Sequence, residues 1–187
     1  DKSSTVSEVK NSLVNFIKEH NPDVICLQES GKWPKNTAQS FSKTIGYKYY
    51  SYNTKNGNSY FSKYKIENVN IFKDENISKF ADIKKINIIK NESFYLVNCH
   101  LNSFGISKEE IEYINDIENI VKESETHGKS VIHKLKSGFE RRTQSTDLLL
   151  ENLPDGTLPL IICGDFNDTP LSYTYSQMSK AGMKDAF

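Results

Sequence analysis

Several features that define common protein classes are scarce in this sequence of 187 residues. No apolar run approaches the roughly 20 residues of a membrane-spanning helix, which argues against such a segment. The three cysteines are an odd number at well-separated positions, so neither a disulfide framework nor a paired-cysteine zinc site is expected. Only two arginines occur, Arg141 and Arg142, so an anionic substrate would be held mostly by lysines, metal and backbone amides.

Net charge is absent as well, because 24 Lys and Arg residues balance 24 Asp and Glu residues. This balance removes the global basic field that marks many nucleic-acid-binding proteins. The charge is unevenly distributed, with −2 over residues 1–31, +8 over residues 32–90 and −6 over residues 91–187. The lysine-rich middle segment is either a phosphate-facing surface or an ordinary solvated face.

The hydrophobic pattern predicts helices and strands that alternate at both ends of the chain, with hairpins between them. The predicted helices are Val6–Ile17 with caps at Ser3, Ser4 or Thr5, Ala38–Ile45, one starting at Ser107, Phe139–Leu153, and one from Thr169-Pro170 to Lys180. The predicted strands are Val24–Leu27, Tyr47–Tyr52, Tyr60–Ser62, Ile66–Phe72, the hairpin 80–89 with Phe94–Cys99, and Leu160–Cys163. Residues 126–137 are an ambiguous connection. This order indicates an α/β or α+β fold with a mixed sheet.

Three of the buried strands end in polar residues, at the edge where α/β sheets commonly bind ligands. Glu29 follows the first strand, His100 the hairpin, and Asp165 with Asn167 the last strand. Taken singly, each is more often a surface carboxylate, a rim histidine or an ordinary turn. Taken together, a hard oxygen ligand, an imidazole and a carboxylate–amide pair suit the metal-assisted attack of water on a phosphoester.

The same segments, in this order, resemble motifs of the endonuclease/exonuclease/phosphatase superfamily, which has the deoxyribonuclease I-like fold. The matching segments are Pro22–Glu29, Asn58–Ile66, Asn98–Ser103, Arg142 with Gln144, Gly164–Pro170 and Gly182–Phe187. Lys65 departs from the family pattern, which usually has proline at that position. The resemblance spans nearly the whole chain.

This resemblance implies a four-layer α/β/β/α sandwich of two mixed sheets and a divalent cofactor, Mg²⁺ or Mn²⁺. By the same resemblance, Glu29 would hold the metal and His100 would contact the scissile phosphate as electrostatic stabiliser or acid. Asp165 would align or activate the attacking water, and Asn167 would help to place the phosphate. Asn102 and Ser103, in the segment after His100, are secondary candidates.

The family pattern also begins with a strand ending in Asn and finishes with an Asp-His pair that supplies the main base. Neither is found in this sequence, since Asp185 is not followed by His. We therefore expect residues 1–187 to be a single incomplete domain that lacks its N- and C-terminal strands. We also expect these residues alone to be inactive, or nearly so, against bis(p-nitrophenyl) phosphate with Mg²⁺.

The leading functional hypothesis is a metal-dependent phosphoesterase that cleaves phosphodiesters or phosphomonoesters in a nuclease-like manner. One alternative is a phosphodiesterase of phospholipid, inositol phosphate or sphingomyelin headgroups, and another is a non-enzymatic binding member of the same fold. The expected partner is a phosphate-bearing substrate, with nucleic acid slightly favoured over a lipid headgroup, and no obligate protein partner is indicated. No targeting segment is visible, which leaves cytoplasmic, secreted and membrane-anchored locations open.

Overall fold

A computed structural model describes residues 2–30, 35–89, 92–103 and 125–186. The chain forms two compact units. The first comprises Asp1–His100 and Pro154–Asp165, and the second comprises Leu101–Leu153 and Phe166–Phe187. The helix predicted from Ser107 lies outside the described residues.

The first unit contains two β-sheets built from seven strands. The strands are β1 (Val24–Leu27), β2 (Tyr49–Tyr52), β3 (Ser59–Ser62), β4 (Lys65–Asn68), β5 (Ala81–Ile89), β6 (Glu92–His100) and β7 (Leu160–Asp165). The predicted hairpin is confirmed as β5 and β6, which pair antiparallel from Ala81 opposite Cys99 onward. The fourth strand is shorter than expected, because it ends at Asn68 and does not reach Phe72.

The two sheets differ in how their strands are paired. The first has the order β1-β3-β2 and is antiparallel throughout its described strands. The second has the order β4-β5-β6-β7 and is mixed, because β7 pairs parallel to β6. Parallel pairing brings the carboxyl ends of β6 and β7 to the same edge of the second sheet.

The faces of the two sheets meet in a hydrophobic cluster. Its buried members are Tyr60 of β3, Ile86 of β5 and Leu96 of β6. Val24 and Cys26 of β1 and Cys163 of β7 pack against the same cluster, so it joins both sheets. Because side chains alternate along a strand, the residues of β6 that face this cluster are Phe94 and Leu96, followed by Asn98 and His100.

Two helices pack on the other face of the first sheet. Helix α1 (Lys2–His20) and helix α2 (Lys35–Ile45) contribute Ile17 and Phe41 to a cluster with Phe61 of β3. Helix α1 begins before Ser3, Ser4 and Thr5, so these residues are not its N-caps as predicted. Its predicted end is confirmed, since Asn21 adopts φ +44 and precedes Pro22.

The second unit contains two described helices. Helix α3 runs without a break from Glu125 to Glu151, so the predicted connection over residues 126–137 is wrong. Helix α4 runs from Tyr173 to Lys180, and its N-cap is Ser172, whose hydroxyl accepts from the Tyr175 amide. The predicted cap at Thr169 is therefore wrong by three residues.

The three cysteines are free thiols in the first unit, as expected. Burial raises the pKa of the Cys99 thiol well above its ordinary value. A thiol with a raised pKa is a poor nucleophile, so the structure gives Cys99 a packing role. No described helix is both long and apolar enough to span a membrane.

Candidate active site

Glu29 lies two residues beyond the end of β1, where the chain leaves the first sheet. Its backbone has φ +50, a left-handed conformation that costs free energy for a residue with a side chain. The following amide, of Ser30, donates to the Gly57 carbonyl at 3.0 Å, which secures this turn. The Glu29 side chain is 79 % exposed, so its carboxylate is open to solvent at the edge of the sheet.

His100 is the last residue of β6, on the face of that strand that meets the first sheet. Its backbone amide donates to the Phe80 carbonyl at 2.7 Å. Its ring Nε2 lies 3.7 Å from Oε1 of Glu29. That separation is longer than a hydrogen bond, so the imidazole lies near the carboxylate charge without being bonded to the carboxylate. The structure thus brings together Glu29 and His100, which are 71 positions apart in the sequence.

Asp165 ends β7 directly beside His100, because these two residues are partners in the parallel register. Its side chain is exposed, at the same edge of the second sheet as the imidazole. Gly164 makes this pairing feasible, since a Cβ atom at this position would lie 1.8 Å from the Cys99 carbonyl oxygen. Glycine is therefore required at this position by the close approach of two strands.

A buried carboxylate, Asp82, lies beneath this edge between the two sheets. The Tyr60 hydroxyl donates to Oδ1 of Asp82 at 2.5 Å, and the Lys84 ammonium lies 3.7 Å from Oδ2. Burial raises the pKa of Asp82, and the charge of Lys84 partly opposes that rise. Burial and the neighbouring carboxylate together raise the pKa of the Tyr60 phenol. Sequence reasoning missed this pair, for which the only signal was a single acid in the β5 pattern.

The second unit holds the other predicted site residues. Asn167 has φ +50, and its side-chain amide donates to the Leu101 carbonyl at 2.8 Å. The side chain of Asn102 donates to the Ser145 hydroxyl at 3.3 Å. Ser103, like Asn102, is exposed. The Asn167 bond ties the segment after β7 to the segment after β6.

A buried arginine organises these two segments of the second unit. Arg142 of α3 is 1 % exposed and donates to the Asn102 carbonyl at 3.0 Å. Its Nε lies 3.4 Å from the Asp168 carboxylate, which also accepts from the Thr174 hydroxyl at 2.9 Å. In the sequence, Arg142 stood out only as part of a motif of the family. The helical pattern does not show which loops the arginine contacts.

The residues present fit an open divalent-metal site with few protein ligands, and they do not fit a site that encloses the ion. Among the described residues, no three His, Cys, Asp or Glu side chains lie close enough together to enclose an ion. The exposed Glu29 carboxylate is instead a single hard oxygen ligand at a position open to water. Mg²⁺ is commonly bound in this way, through one or two carboxylates with several retained waters. The donor chemistry is therefore that of an open, hydrated site.

The arrangement of Glu29, His100 and Asp165 at one sheet edge invites comparison with known proteins. A family model described as the Endonuclease/Exonuclease/phosphatase family matches residues 4–185. The chain belongs to this family. The resemblance drawn from the sequence motifs is thereby confirmed, and the family groups enzymes that hydrolyse phosphoester bonds. A search of curated proteins finds no match.

Two solved structures share the fold at low sequence identity. A β-hairpin deletion mutant of beta toxin from Staphylococcus aureus is 16 % identical with a TM-score of 0.51, over 92 % of this chain and 65 % of that one. A humanized D. rerio TDP2 carrying 14 mutations is 13 % identical with a TM-score of 0.54, over 98 % of this chain and 62 % of that one. These similarities confirm the predicted α/β sandwich class. The chain spans less than two thirds of the length of either protein.

Proposed function

We propose that the complete form of this family member is a divalent-metal-dependent phosphoesterase that hydrolyses phosphodiester or phosphomonoester bonds. The observation that carries the proposal is the 3.7 Å approach of His100 Nε2 to Glu29 Oε1, with Asp165 in register beside His100. Carboxylate and imidazole groups at one sheet edge can bind a cation and a phosphate in adjacent positions. The family assignment supports this class of chemistry.

In the proposed reaction, Glu29 would hold Mg²⁺ or Mn²⁺, and a bound ion would supply positive charge that stabilises the phosphate. His100 donates a hydrogen bond or a proton to a phosphoryl oxygen from its partly buried position. Asp165 orients a water molecule or takes its proton as the new oxygen–phosphorus bond forms. Asn167 helps to place the phosphate, and the breaking ester bond leaves an alcohol oxygen that acquires a proton.

The proposal concerns the full-length protein. The structures it resembles are longer than this chain, and the family pattern includes an Asp-His pair that these 187 residues lack. That residues 1–187 alone hydrolyse bis(p-nitrophenyl) phosphate slowly or not at all stays a prediction. Clear Mg²⁺-dependent turnover by this polypeptide would contradict it.

The test compares His100→Ala with His133→Ala in the full-length protein. His133 is an exposed histidine of α3, so its removal controls for the loss of an imidazole. We expect His100→Ala to lower kcat/KM about 10²–10⁴-fold, the range for losing an acid–base or charge-stabilising group. We expect His133→Ala to leave the rate unchanged. Full activity in the His100→Ala variant would remove the catalytic role and favour a non-enzymatic member of the fold.

For the substrate, nucleic acid is the first candidate because of the lysine-rich segment over residues 32–90. A lipid headgroup is the second candidate, favoured by an exposed apolar stretch in the second unit. Leu171 is 98 % exposed, and Tyr173 and Tyr175 are 44 % and 40 % exposed. Side chains of this kind can enter a lipid interface.

The two candidates are separated by assaying the full-length protein with Mg²⁺ on single-stranded DNA, RNA and sphingomyelin vesicles. A nuclease would cleave the first or second, and Leu171→Asp would leave its rate unchanged. A lipid phosphodiesterase would release headgroups from vesicles, and Leu171→Asp would lower vesicle turnover more than turnover of a soluble phosphodiester.

A further inference from the structure

Asn98 is a fully buried amide on β6, two residues before His100. Its side-chain NH₂ donates to the carbonyls of Leu27 and Ser59, at 3.2 and 3.3 Å. Its side-chain oxygen accepts from Nε2 of Gln28 at 2.7 Å. Both side-chain donors are therefore used, and each of the three bonds crosses from the second sheet to the first.

The backbone of Asn98 is held across the same interface. Its amide donates to the Tyr60 hydroxyl at 3.2 Å, and that hydroxyl in turn donates to Asp82. Its carbonyl accepts from the side chain of Asn58 at 2.8 Å. Tyr60 and Asn58 are themselves completely buried. The position of Asn98 is thus fixed through its backbone amide and carbonyl as well as through its side chain.

These contacts connect the two halves of the candidate site. Leu27 and Gln28 immediately precede Glu29 in the chain, whereas His100 lies two residues beyond Asn98 on the same face of β6. The exposed Glu29 carboxylate is 3.7 Å from His100, a separation too long for a hydrogen bond that would fix it. Its position is therefore set by the backbone on either side, which the Ser30–Gly57 bond holds after Glu29 and Asn98 holds before it.

We propose that Asn98, acting through Gln28 and the Leu27 carbonyl, is a positioning residue that sets the separation of Glu29 and His100. This inference rests on the proposed function, since it assigns Asn98 to the geometry of that site. Errors of about 1 Å in the placement of reacting groups can cost about 10²-fold in rate. Partners that orient a metal ligand typically change affinity or activity about 10–100-fold when removed.

The experiment uses Asn98→Leu, Gln28→Leu and the double variant in the full-length protein, with Val97→Ala as the matched control. Leucine has the same number of side-chain heavy atoms as asparagine and the same branch at Cγ, but it removes all three inter-sheet bonds of the side chain. Val97 is equally buried on the same strand, and its side chain points to the opposite face. Thermal unfolding of each variant defines a temperature at which all of them are folded.

The readouts are kcat and KM with Mg²⁺ on bis(p-nitrophenyl) phosphate, and the affinity for Mn²⁺ alone by electron paramagnetic resonance. We expect Asn98→Leu to lower kcat about 10–100-fold and to weaken Mn²⁺ binding, with a smaller change in KM. We expect Val97→Ala to lower the stability of the protein but to leave kcat and the affinity for Mn²⁺ unchanged. Because Gln28 and Asn98 share one hydrogen bond, the double variant should lose less than the product of the two single losses.

The two hypotheses fail in different ways. If the wild-type protein is active and Asn98→Leu matches Val97→Ala within about threefold in kcat and in Mn²⁺ affinity, the positioning role is overturned. If the wild-type protein shows no metal-dependent hydrolysis, the proposed function is overturned. In that case the Mn²⁺ affinities alone decide the inference: a loss in Asn98→Leu that Val97→Ala lacks supports it, and equal affinities overturn it.

Discussion

Replacing Gly164 by alanine should disrupt the pairing of β6 and β7 beside the candidate site. An added Cβ atom would lie 1.8 Å from the Cys99 carbonyl oxygen and 2.7 Å from its carbonyl carbon. A relaxed carbon–oxygen contact is about 3.3 Å, so the strands would have to separate by about 1.5 Å. Paired strands are only about 4.8 Å apart, and such a shift breaks the local ladder.

The cost has two parts. Gly164 has φ +147, and a side chain in such a conformation costs about 1–3 kcal/mol. Losing about two ladder hydrogen bonds adds about 0.5–1.5 kcal/mol each. The free energy of unfolding should therefore fall by about 4 kcal/mol in total. For a domain of this size that corresponds to a drop in Tm of about 8–16 °C.

Two other glycines provide controls. Gly156 has open space around its Cα and no positive φ, so Gly156→Ala should change stability by less than about 1 kcal/mol. Gly46 has open space but φ +80, so Gly46→Ala isolates the backbone term of about 1–2 kcal/mol. Thermal unfolding followed by circular dichroism measures all three variants. If Gly164→Ala melts within about 2 °C of Gly46→Ala, the close approach to Cys99 is not the constraint.

Two further predictions concern buried charges. Arg142→Met should lower the free energy of unfolding, measured in urea, by about 3–5 kcal/mol, because it leaves the Asp168 carboxylate buried without the arginine beside it. Arg141 is the exposed neighbour, and Arg141→Met should lower the free energy of unfolding by less than about 0.5 kcal/mol. Equal losses in the two variants would contradict the assignment. Asp82 faces Lys84, Tyr60 and Asn53, and burial raises its pKa in the folded state. The contribution of Asp82 to stability is therefore fully present below its ordinary pKa and is lost as pH rises through the raised pKa. Urea unfolding of Asp82→Asn should therefore gain stability relative to wild type as pH rises from 3 to 7, and a pH-independent difference would refute this.

The polar strand ends were predictable because each follows an apolar run that could only be a buried strand. Glu29, His100 and Asp165 were found in this way, and the parallel register of β6 and β7 then placed two of them side by side. What a pattern cannot give is the bonding between distant segments. Asn98 contacts Gln28 across 70 positions, and Arg142 reaches Asn102 across 40.

The predicted starts of helices α3 and α4 were wrong for local reasons. Gly128 and Gly138 weaken the helical pattern over the first half of α3, yet the helix continues through that region because two glycines do not outweigh its length. At α4, Thr169-Pro170 resembles a cap with a first helical turn. The chain instead makes a turn there, in which the Ser172 amide donates to the Thr169 carbonyl, and Ser172 becomes the cap.

The lysine-rich segment that favoured nucleic acid is partly neutralised in the folded chain. Lys63 pairs with Asp23 at 3.2 Å and Lys65 pairs with Glu67 at 2.7 Å. Lys84 is only 12 % exposed and lies beside Asp82. Glu67 and Asp82 are already counted in the charge of +8, so only Asp23, which lies outside residues 32–90, lowers the field of this segment further. The substrate assays are therefore more decisive than the charge count.

The interface between the two sheets changes character along β6, and this change links stability to function. Phe94 and Leu96 pack in the apolar cluster, where burial stabilises the sandwich. Asn98, next on the same face, replaces apolar packing with three directional hydrogen bonds to the first sheet. Hydrogen bonds add less stability than apolar burial but specify position more closely. His100 follows at the solvent edge, so the most directional contacts lie directly behind the residue whose placement the chemistry requires.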